Sequence, residues 1–466
     1  MAQAKYKTAP VPSTRMPSGI PYIVGNETAE RFSFYGMRGI LVVFMTKYML
    51  NSRGEADYMS DHDAAAVFHL FVATAYFFPL LGSLLSDVLW GKYKTILVLS
   101  IVYCFGHLAL AIDDTRVGLF IGLILIALGA GGIKPCVSAH VGDQFGSQNK
   151  HLLSRVFGWF YLAINLGAFV SSLLIPVILE KYGPHYAFGL PGILMLLATI
   201  LFWMGRNQFV HIPASGWKKF RTDTFGKEGL QALLNLSVLY YVFLPVFWAL
   251  FDQTGSSWVL QGLQMNTLVT TPLGEFQLGA AQIQAFNPFF ILILIPTFTY
   301  VVYPLIDKVF PLTPLRKISI GFFLTAASFA IVALIQIGID RAPQNPPHIL
   351  WQAVPYLVMT AGEVMISITC LEFSYTQAPK SMKSFIMSLY FLSVTVGNLL
   401  TAGVNKMIMI DEKTSRLEGA SYFWFFSGLM FVAAILFIFV AQHYKGKTYI
   451  QDDEPDTSLA QEEGIQ

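Results

Sequence analysis

The sequence predicts an all-α membrane protein with twelve transmembrane helices in two six-helix bundles. Apolar and aromatic residues make up 55% of the 466 residues, and Asp, Glu, Lys and Arg together only 12%, about half the charged share of a soluble domain. Apolar stretches of roughly the 20 residues that cross a bilayer recur along the chain. A basic break at 206–227 divides these stretches into two groups of six.

The composition also excludes several classes of protein. A net charge of +2 offers no large field for nucleic acid, and the nine histidines show no metal-ligand spacing, so we expect no metal and no cofactor. The three cysteines fall in apolar stretches, as buried cysteines do, and do not form a disulfide framework. We therefore expect the binding partners of this protein to be molecules that it meets in the lipid bilayer.

Twelve apolar stretches are each long enough to cross the membrane. They cover 21–50, 64–90, 94–112, 116–141, 153–178, 187–206, 231–261, 282–307, 316–338, 349–377, 381–408 and 420–444. With both termini inside, 19 of the 30 Lys and Arg fall on the inner side, 8 on the outer side and 3 within spans. This bias toward inner positive charge favours twelve spans.

The spans define the expected organisation of the chain. The first twenty residues lack the continuous apolar core of a signal peptide and are expected to be a cytoplasmic tail. The charges after 447 are mostly acidic and predict a second cytoplasmic tail. The predicted units are a tail at 1–20, a bundle at 21–207, a linker at 208–230, a bundle at 231–444 and a tail at 445–466.

The first span carries four charges where a membrane helix should be apolar: Glu27, Glu30, Arg31 and Arg38. Each charge at the centre of a span costs about 2.5–3.5 kcal/mol on insertion scales, so such residues generally have a function. At 100° per residue the four charges share one face of about 140° with Phe34 and Tyr35, while Phe32, Gly36, Gly39 and Ile40 lie opposite. Two carboxylates beside Arg31 can exchange an ion pair for a proton; the alternative is a static ion-pair network that fixes the helix.

This run resembles the ExxERFxYYG signature of the proton-coupled oligopeptide transporter family, a branch of the major facilitator superfamily. The matching residues are Glu27, Glu30, Arg31, Phe32, Tyr35 and Gly36, whereas Phe34 replaces the first tyrosine. The resemblance extends over nearly the whole chain. It implies the major facilitator fold, proton coupling through Glu27, Glu30 and Arg31, and substrate contacts at Tyr35 and Arg38.

Further motifs of the first half resemble the same family. Gly82 to Thr95 is similar to the GxxxxD and GrykT loop, which implies a gating role for Asp87; a plain cytoplasmic turn is the alternative. Phe160 to Gly167 is similar to FYxxINxG, which makes Asn165 a ligand for peptide backbone groups, or else a helix-to-helix hydrogen bond. Lys134 follows a small-residue run in the fourth span and is implied to bind a substrate carboxylate, with a structural ion pair as the alternative.

Histidine and aromatic residues complete the predicted site. His69 matches a histidine implicated in proton coupling in animal members, although a lone histidine is often only a core residue. Tyr76 lies seven residues later on the same helix face and is expected at the substrate. In the second half, the resemblance implies substrate contacts at Trp248, Asn287 and Glu363. Asp252 is a candidate outer gate that pairs with Arg38 or His69.

Cations in the first half and Glu363 in the second predict a bipolar cavity that fits a zwitterion. The resemblance selects the peptide, and the expected activity is proton-driven import of di- and tripeptides by alternating access. The implied protein is a monomer in a cell membrane, by its compact build a bacterial inner membrane. Two alternatives are a proton-coupled carrier of nitrate or another small anion and a non-transporting membrane sensor. An enzyme is not expected, because no HExxH, GxSxG or P-loop run occurs.

Overall fold

The computed structural model describes residues 6–10, 12–146, 148–149, 152–214, 216–224, 234, 236–271, 274–370, 383–409 and 415–444. These residues form an almost entirely helical protein with one short hairpin. The predicted C-terminal tail at 445–466, and residues 215 and 225–230 of the predicted linker, lie outside the described residues.

Fifteen α-helices follow one another along the described chain, with π or 3₁₀ turns extending several of them. Their bounds are α1 Ile20–Lys47, α2 Asp61–Leu84, α3 Lys92–Ile112, α4 Arg116–Gly142, α5 Leu153–Tyr182, α6 Pro184–Met204, α7 Trp217–Thr224, α8 Leu244–Phe251, α9 Ser257–Gly262, α10 Phe286–Thr297, α11 Tyr303–Asp307, α12 Pro314–Arg341, α13 Ala353–Glu363, α14 Lys383–Ile408 and α15 Ala420–His443.

Ten helical segments of the described chain are long and apolar enough to cross a membrane. They are Asp61–Trp90, Lys92–Ile112, Arg116–Gly142, Leu162–Tyr182, Pro184–Asn207, Leu236–Gly262, Ala280–Asp307, Pro314–Arg341, Ile349–Ile368 and Ala420–His443. Each overlaps one of the predicted spans. The predicted first and eleventh spans correspond to α1 and α14, which are not among the ten, and the count of twelve stays a prediction.

Two features depart from a plain helical chain. Strands β1 (Leu268–Thr271) and β2 (Gly274–Gln277) pair antiparallel, with Leu268 opposite Gln277. The apolar pattern did not predict this exposed hairpin. The predicted seventh span is also not one regular helix, because Ser256 has φ −128° and ψ −91° and interrupts it between α8 and α9.

Helix boundaries follow local signals. The Ser60 hydroxyl accepts a hydrogen bond from the Asp63 amide at 3.1 Å and so caps α2. Thr313 caps α12 in the same way. Gly91 has φ +77° and Gly183 φ +85°, which are conformations that glycine adopts without steric cost, and each reverses the chain between two helices.

Glycines bring the helices of the first half into close contact. A Cβ atom at Gly82 of α2 would lie 2.2 Å from the Gly132 carbonyl oxygen of α4, and one at Gly131 would lie 2.4 Å from the Ala75 carbonyl oxygen. Gly36 of α1 packs on Ile175 of α5 in the same manner. Small residues that let backbones approach are the usual basis of helix packing in membranes.

The apolar core divides into two large clusters. One is built from residues between Ile20 and Phe209, together with Val394. The other is built from residues between Leu236 and Phe437. Polar side chains of the predicted site lie where the two parts of the chain meet.

Candidate functional site

A cavity of about 140 Å³ lies between the two parts of the chain. Its walls come from α1, α2 and α5 on one side and from the segments carrying Trp248, Asn287 and Glu363 on the other. The predicted site residues that line it are Tyr35, Arg38, Tyr76, Asn165, Trp248, Asp252, Asn287 and Glu363. The structure therefore brings together residues that are up to 328 positions apart in the sequence.

Charges of opposite sign stand on the two sides of this cavity. Arg38 of α1 donates from Nη2 to Asp252 Oδ1 at 2.5 Å. Asp252 was predicted to pair with Arg38 or His69, and Arg38 is the direct partner. On the other wall, Asn287 Nδ2 donates to Glu363 Oε2 at 2.6 Å.

The Arg38–Asp252 ion pair continues into a buried hydrogen-bond chain. Asn398 of α14 donates from Nδ2 to Asp252 Oδ2 at 2.6 Å, so its Oδ1 is the acceptor for His69 Nδ1 at 2.6 Å. His69 Nε2 lies 2.9 Å from Ser256 Oγ. The proton of a neutral His69 is therefore on Nδ1, and the chain links α1, α2 and α14 to the broken segment between α8 and α9.

The carboxylates of the first span do not line the cavity. Arg31 Nε donates to Glu27 Oε1 at 2.7 Å but is 3.3 Å from Glu30 Oε2. Among the described residues, neither oxygen of Glu30 has a hydrogen-bond partner, although the residue is only 1% exposed. Arg31 is therefore ion-paired with both carboxylates but hydrogen-bonded only to Glu27, so the two carboxylates are not equivalent.

Lys134 lies between aromatic rings. Its Nζ is 4.0 Å from the ring centre of Phe34 and 4.2 Å from that of Tyr76. Within the described residues no carboxylate lies within ion-pair distance of this ammonium and no hydrogen-bond partner reaches it. A cation held over ring faces is stabilised without being neutralised. The structural ion pair offered as the alternative for Lys134 is therefore not formed here.

Other predicted residues have simpler surroundings. Ser86 Oγ donates to Asp87 Oδ1 at 3.2 Å, while Lys92, the first residue of α3, pairs with Asp143 at 2.8 Å. Asn165 is buried on α5 at the cavity wall. Trp248 Nε1 is buried and has no hydrogen-bond partner among the described residues.

The face of α1 opposite the charges is also buried. Ile40 is 0% exposed and belongs to the first apolar cluster, so it faces neighbouring helices rather than lipid. Gly36 lies against α5, as described above.

Sequence reasoning missed several residues of the site. Asn398 and Ser256 complete the chain to His69, and Gln284 Nε2 donates to the Gly39 carbonyl oxygen at 2.9 Å. The ring of Phe34, which replaces the first tyrosine of the signature, also contacts Lys134. The available signal for Asn398 was a carboxamide inside an apolar span, which the bilayer would otherwise disfavour.

Comparison with known proteins supports a membrane transporter. The family model described as the POT family matches residues 93–228 and 217–425. Peptide transporter 3 of Caenorhabditis elegans is 35% identical over 398 residues, which is 75% of this chain and 55% of that protein. Solute carrier family 15 member 2 of Homo sapiens is 35% identical over 379 residues, which is 71% of this chain and 50% of that protein. The chain thus spans about half the length of these curated relatives.

Solved structures agree with this assignment. A crystal structure of an auto-inhibited POT family peptide transporter superposes with a TM-score of 0.81 at 34% identity, and the match covers 94% of this chain and 99% of that one. The matched family model, the shared fold and the helices suited to crossing a membrane agree, and the chain belongs to the POT family of multi-pass membrane transporters.

Proposed function

We propose that the protein is a proton-coupled symporter that imports di- and tripeptides by alternating access between two six-helix bundles. It needs no cofactor, works as a monomer in a cell membrane with both termini in the cytoplasm, and its compact build suits a bacterial inner membrane. The peptide transporters among its relatives support the substrate class.

The observation that carries this proposal is the bipolar cavity. A short peptide has a cationic amino end, an anionic carboxyl end and amide groups between them. Glu363 offers an anion for the amino end, and Arg38, with Lys134 behind Tyr76, offers cations for the carboxyl end. The amide groups between the ends can use Asn165, Asn287 and the free indole N–H of Trp248.

Ion pairs between the two parts of the chain support alternating access. Arg38 pairs with Asp252, and Lys406 of α14 pairs with Asp63 of α2. With the N-terminus inside, both pairs lie in the outer half of the membrane. The described conformation is then closed to the outside, and import requires both contacts to break and re-form.

Proton coupling rests on the unequal carboxylates of α1. Glu30 is buried without a hydrogen bond from Arg31, so it can take up a proton while Glu27 keeps the guanidinium. Lys134 lies within electrostatic range of Glu30, and its ammonium contacts Tyr76 at the cavity wall. A change of charge at Glu30 therefore changes the electrostatic potential at Lys134, and through Lys134 at the peptide site.

One observation favours a second candidate, a carrier of nitrate or another small anion. Lys134 has no carboxylate partner among the described residues, and an anionic ligand beside it would stabilise its ammonium. An anion carrier has no use for the carboxylate of Glu363, whereas a peptide carrier does. A non-transporting sensor, the remaining alternative, would bind without moving its ligand.

The substitution Glu30→Gln tests the proposal. It should abolish uptake of labelled dialanine driven by a proton gradient and leave counterflow exchange of the same peptide intact, because exchange needs no net proton movement. Glu275→Gln, the same change on the exposed hairpin, is the matched control and should alter neither. Gradient-driven accumulation by the Glu30→Gln protein would refute the role of this carboxylate.

A further inference from the structure

A second cavity, here called the outer cavity, lies between the two parts of the chain where α2 and α15 begin. Its volume is about 320 Å³, within the range of about 300–1,000 Å³ that is typical of ligand sites. The first part of the chain contributes the start of α2, and the second part contributes residues on or beside α9, α12, α14 and α15. Of the described residues that line it, none lines the cavity of the proposed peptide site. With the N-terminus inside, as the proposed function has it, this end faces outward.

Carboxamides form much of the floor of the outer cavity. Gln261 of α9 donates to Gln336 Oε1 at 2.9 Å, and Gln336 of α12 donates to Gln264 Oε1 at 3.2 Å. Gln261 and Gln336 are buried, and the hydrogen bonds among the three side chains fix their orientation. The floor is therefore a preformed polar surface, which suits a ligand with several hydrogen-bonding groups.

One buried carboxamide of the outer cavity has an unused donor group. Asn405 of α14 is 1% exposed, and its Nδ2 has no hydrogen-bond partner among the described residues. Its Oδ1 accepts from the Tyr422 hydroxyl at 3.1 Å, and that hydroxyl accepts from Ser257 Oγ at 3.2 Å. These two bonds orient the carboxamide and leave its amino group as the free end. A buried donor without an acceptor costs free energy, and an acceptor oxygen on a ligand would relieve that cost.

The mouth of the outer cavity carries negative charge. Asp61 and Glu418 line the cavity and are exposed, and the structure shows no ion pair to either carboxylate within the described chain. Glu418 Oε1 accepts from the Ser415 amide at 3.0 Å. No lysine or arginine is among the described lining residues, although Lys47 lies within electrostatic range of Asp61. A cationic group is therefore favoured at this mouth, and a carboxylate is disfavoured.

Aromatic rings line part of the remaining wall. Tyr422 and Phe423 of α15 line the outer cavity, and the centre of the His62 ring is 6.4 Å from that of Tyr422. His62 and Tyr422 belong to different parts of the chain, so this contact lies on the boundary between them. Ring faces beside carboxamides offer a ligand both apolar contact and hydrogen bonds, a combination that is usual in small-molecule sites.

We propose that the outer cavity binds a small cation that carries several hydroxyl groups, namely an amino sugar. Its ammonium group pairs with Asp61 and Glu418, a hydroxyl oxygen accepts from Asn405 Nδ2, and its C–H face lies on the Tyr422 ring. A free amino acid or a peptide fits less well, because the two carboxylates at the mouth repel its own carboxylate. A neutral sugar has no cationic group to offer them.

An occupant of the outer cavity changes which side of the protein is closed. It contacts Asp61 in one part of the chain and Asn405 in the other, and the neighbouring Asp63–Lys406 ion pair breaks when the protein opens to the outside. Opening separates the two walls, so the ligand binds the closed form and not the open one. At ten times its Kd, an amino sugar then raises the ratio of closed to open molecules about 11-fold.

Calorimetry with glucosamine tests the site on the full-length protein in detergent, at a slightly acidic pH where most glucosamine carries its proton. Wild type should bind glucosamine about tenfold or more tighter than glucose, which has the same ring without the ammonium group. Asp61→Asn should weaken glucosamine binding about tenfold or more, because a charged hydrogen bond is lost. Glu275→Gln, on the exposed hairpin, is the matched control and should leave the Kd unchanged.

Three calorimetric results would overturn the site. One is a Kd for glucosamine no lower than that for glucose, and another is an unchanged Kd for glucosamine in Asp61→Asn. The third is an equal loss of dialanine and glucosamine binding in Asp61→Asn, which would place both ligands in one cavity. We expect the Kd of dialanine to stay within about twofold of wild type in this variant. The Tm should also be unchanged, because Asp61 is exposed.

Uptake by proteoliposomes tests the effect on closure, and this step rests on the proposed function. Glucosamine outside, at ten times its Kd, should slow dialanine uptake by wild type several-fold, up to about 11-fold, and should not slow uptake by Asp61→Asn. Binding of glucosamine without slower uptake would overturn the inference that it bridges the two parts. Absence of dialanine uptake even without glucosamine would overturn the proposed symport, whereas calorimetry would still decide the site.

Discussion

The buried ion pair between Arg38 and Asp252 should control which side of the protein is closed, and Asp252→Asn tests this. The substitution preserves shape but leaves the guanidinium buried without a counter-charge. Removing one partner of a buried pair costs about 3–5 kcal/mol. Opening to the outside would hydrate Arg38 and relieve this cost, so the ratio of open to closed molecules should rise roughly 100- to 4,000-fold.

The shift can be measured as a distance between spin labels on the two parts of the chain. Tyr58, before α2, and Arg416, before α15, are exposed and lie at the same end of the molecule. In a background without the three natural cysteines, double electron–electron resonance of the peptide-free wild type should give a short distance. Asp252→Asn should give a longer distance as the main population.

The second ion pair supplies a matched control. Asp63→Asn makes the same chemical change, but the side chains of Lys406 and Asp63 are 61% and 31% exposed. An exposed pair is worth about 0–1 kcal/mol, so the population ratio should change by no more than about fivefold. The reasoning is refuted if Asp252→Asn leaves the distance distribution unchanged, or if Asp63→Asn shifts it equally.

Three further predictions follow from the cavity and the packing. Glu363→Gln should weaken dialanine binding about tenfold or more, as expected when a charged hydrogen bond is lost, whereas an unchanged Kd by calorimetry would contradict the role of Glu363 at the amino end of the peptide. Lys134→Met should weaken peptide binding in the same assay, while Lys181→Met, on the exposed end of α5, should have no effect; equal effects would contradict the assigned role. Gly82→Val should destabilise the protein by about 1–3 kcal/mol, because its Cβ would lie 2.2 Å from a carbonyl oxygen of α4. Gly142→Ala has open space and should not change the Tm, and a stable Gly82→Val protein would show that the helices do not pack this closely.

Much of the fold was predictable because the bilayer fixes the length of its helices. Runs of about 20 apolar residues and their breaks located the ten helical segments that are suited to crossing a membrane, with boundaries that differ by up to nine residues. The helical period also placed the charges of α1 on one face. The hairpin and the interruption at Ser256 were not predictable, because they depend on contacts that the bilayer pattern does not record.

The sequence predicted which residues belong to the site better than it predicted how those residues are arranged in space. Helix angles put Glu30 and Arg38 on the same side of α1 but could not tell that, of these two, Arg38 alone lines the cavity, since this depends on how α1 packs against neighbouring helices. Helix angles also place Ile40 opposite the charges without telling whether that face meets lipid or neighbouring helices; it is fully buried, and replacing it with alanine would cost about 2–5 kcal/mol of stability. Asn398 offers one local signal, a carboxamide inside an apolar span, but its partners His69 and Asp252 lie on other elements and cannot be predicted from that signal.

Uptake of labelled dialanine by the wild-type protein tests the central claim most directly. Proteoliposomes receive an acid-outside gradient, with and without a protonophore, and with free alanine or nitrate as competitors. Peptide-proton symport predicts accumulation that the protonophore abolishes and that unlabelled dipeptides block, whereas alanine and nitrate do not. Uptake that ignores the gradient, or that nitrate blocks and dipeptides do not, would contradict the account.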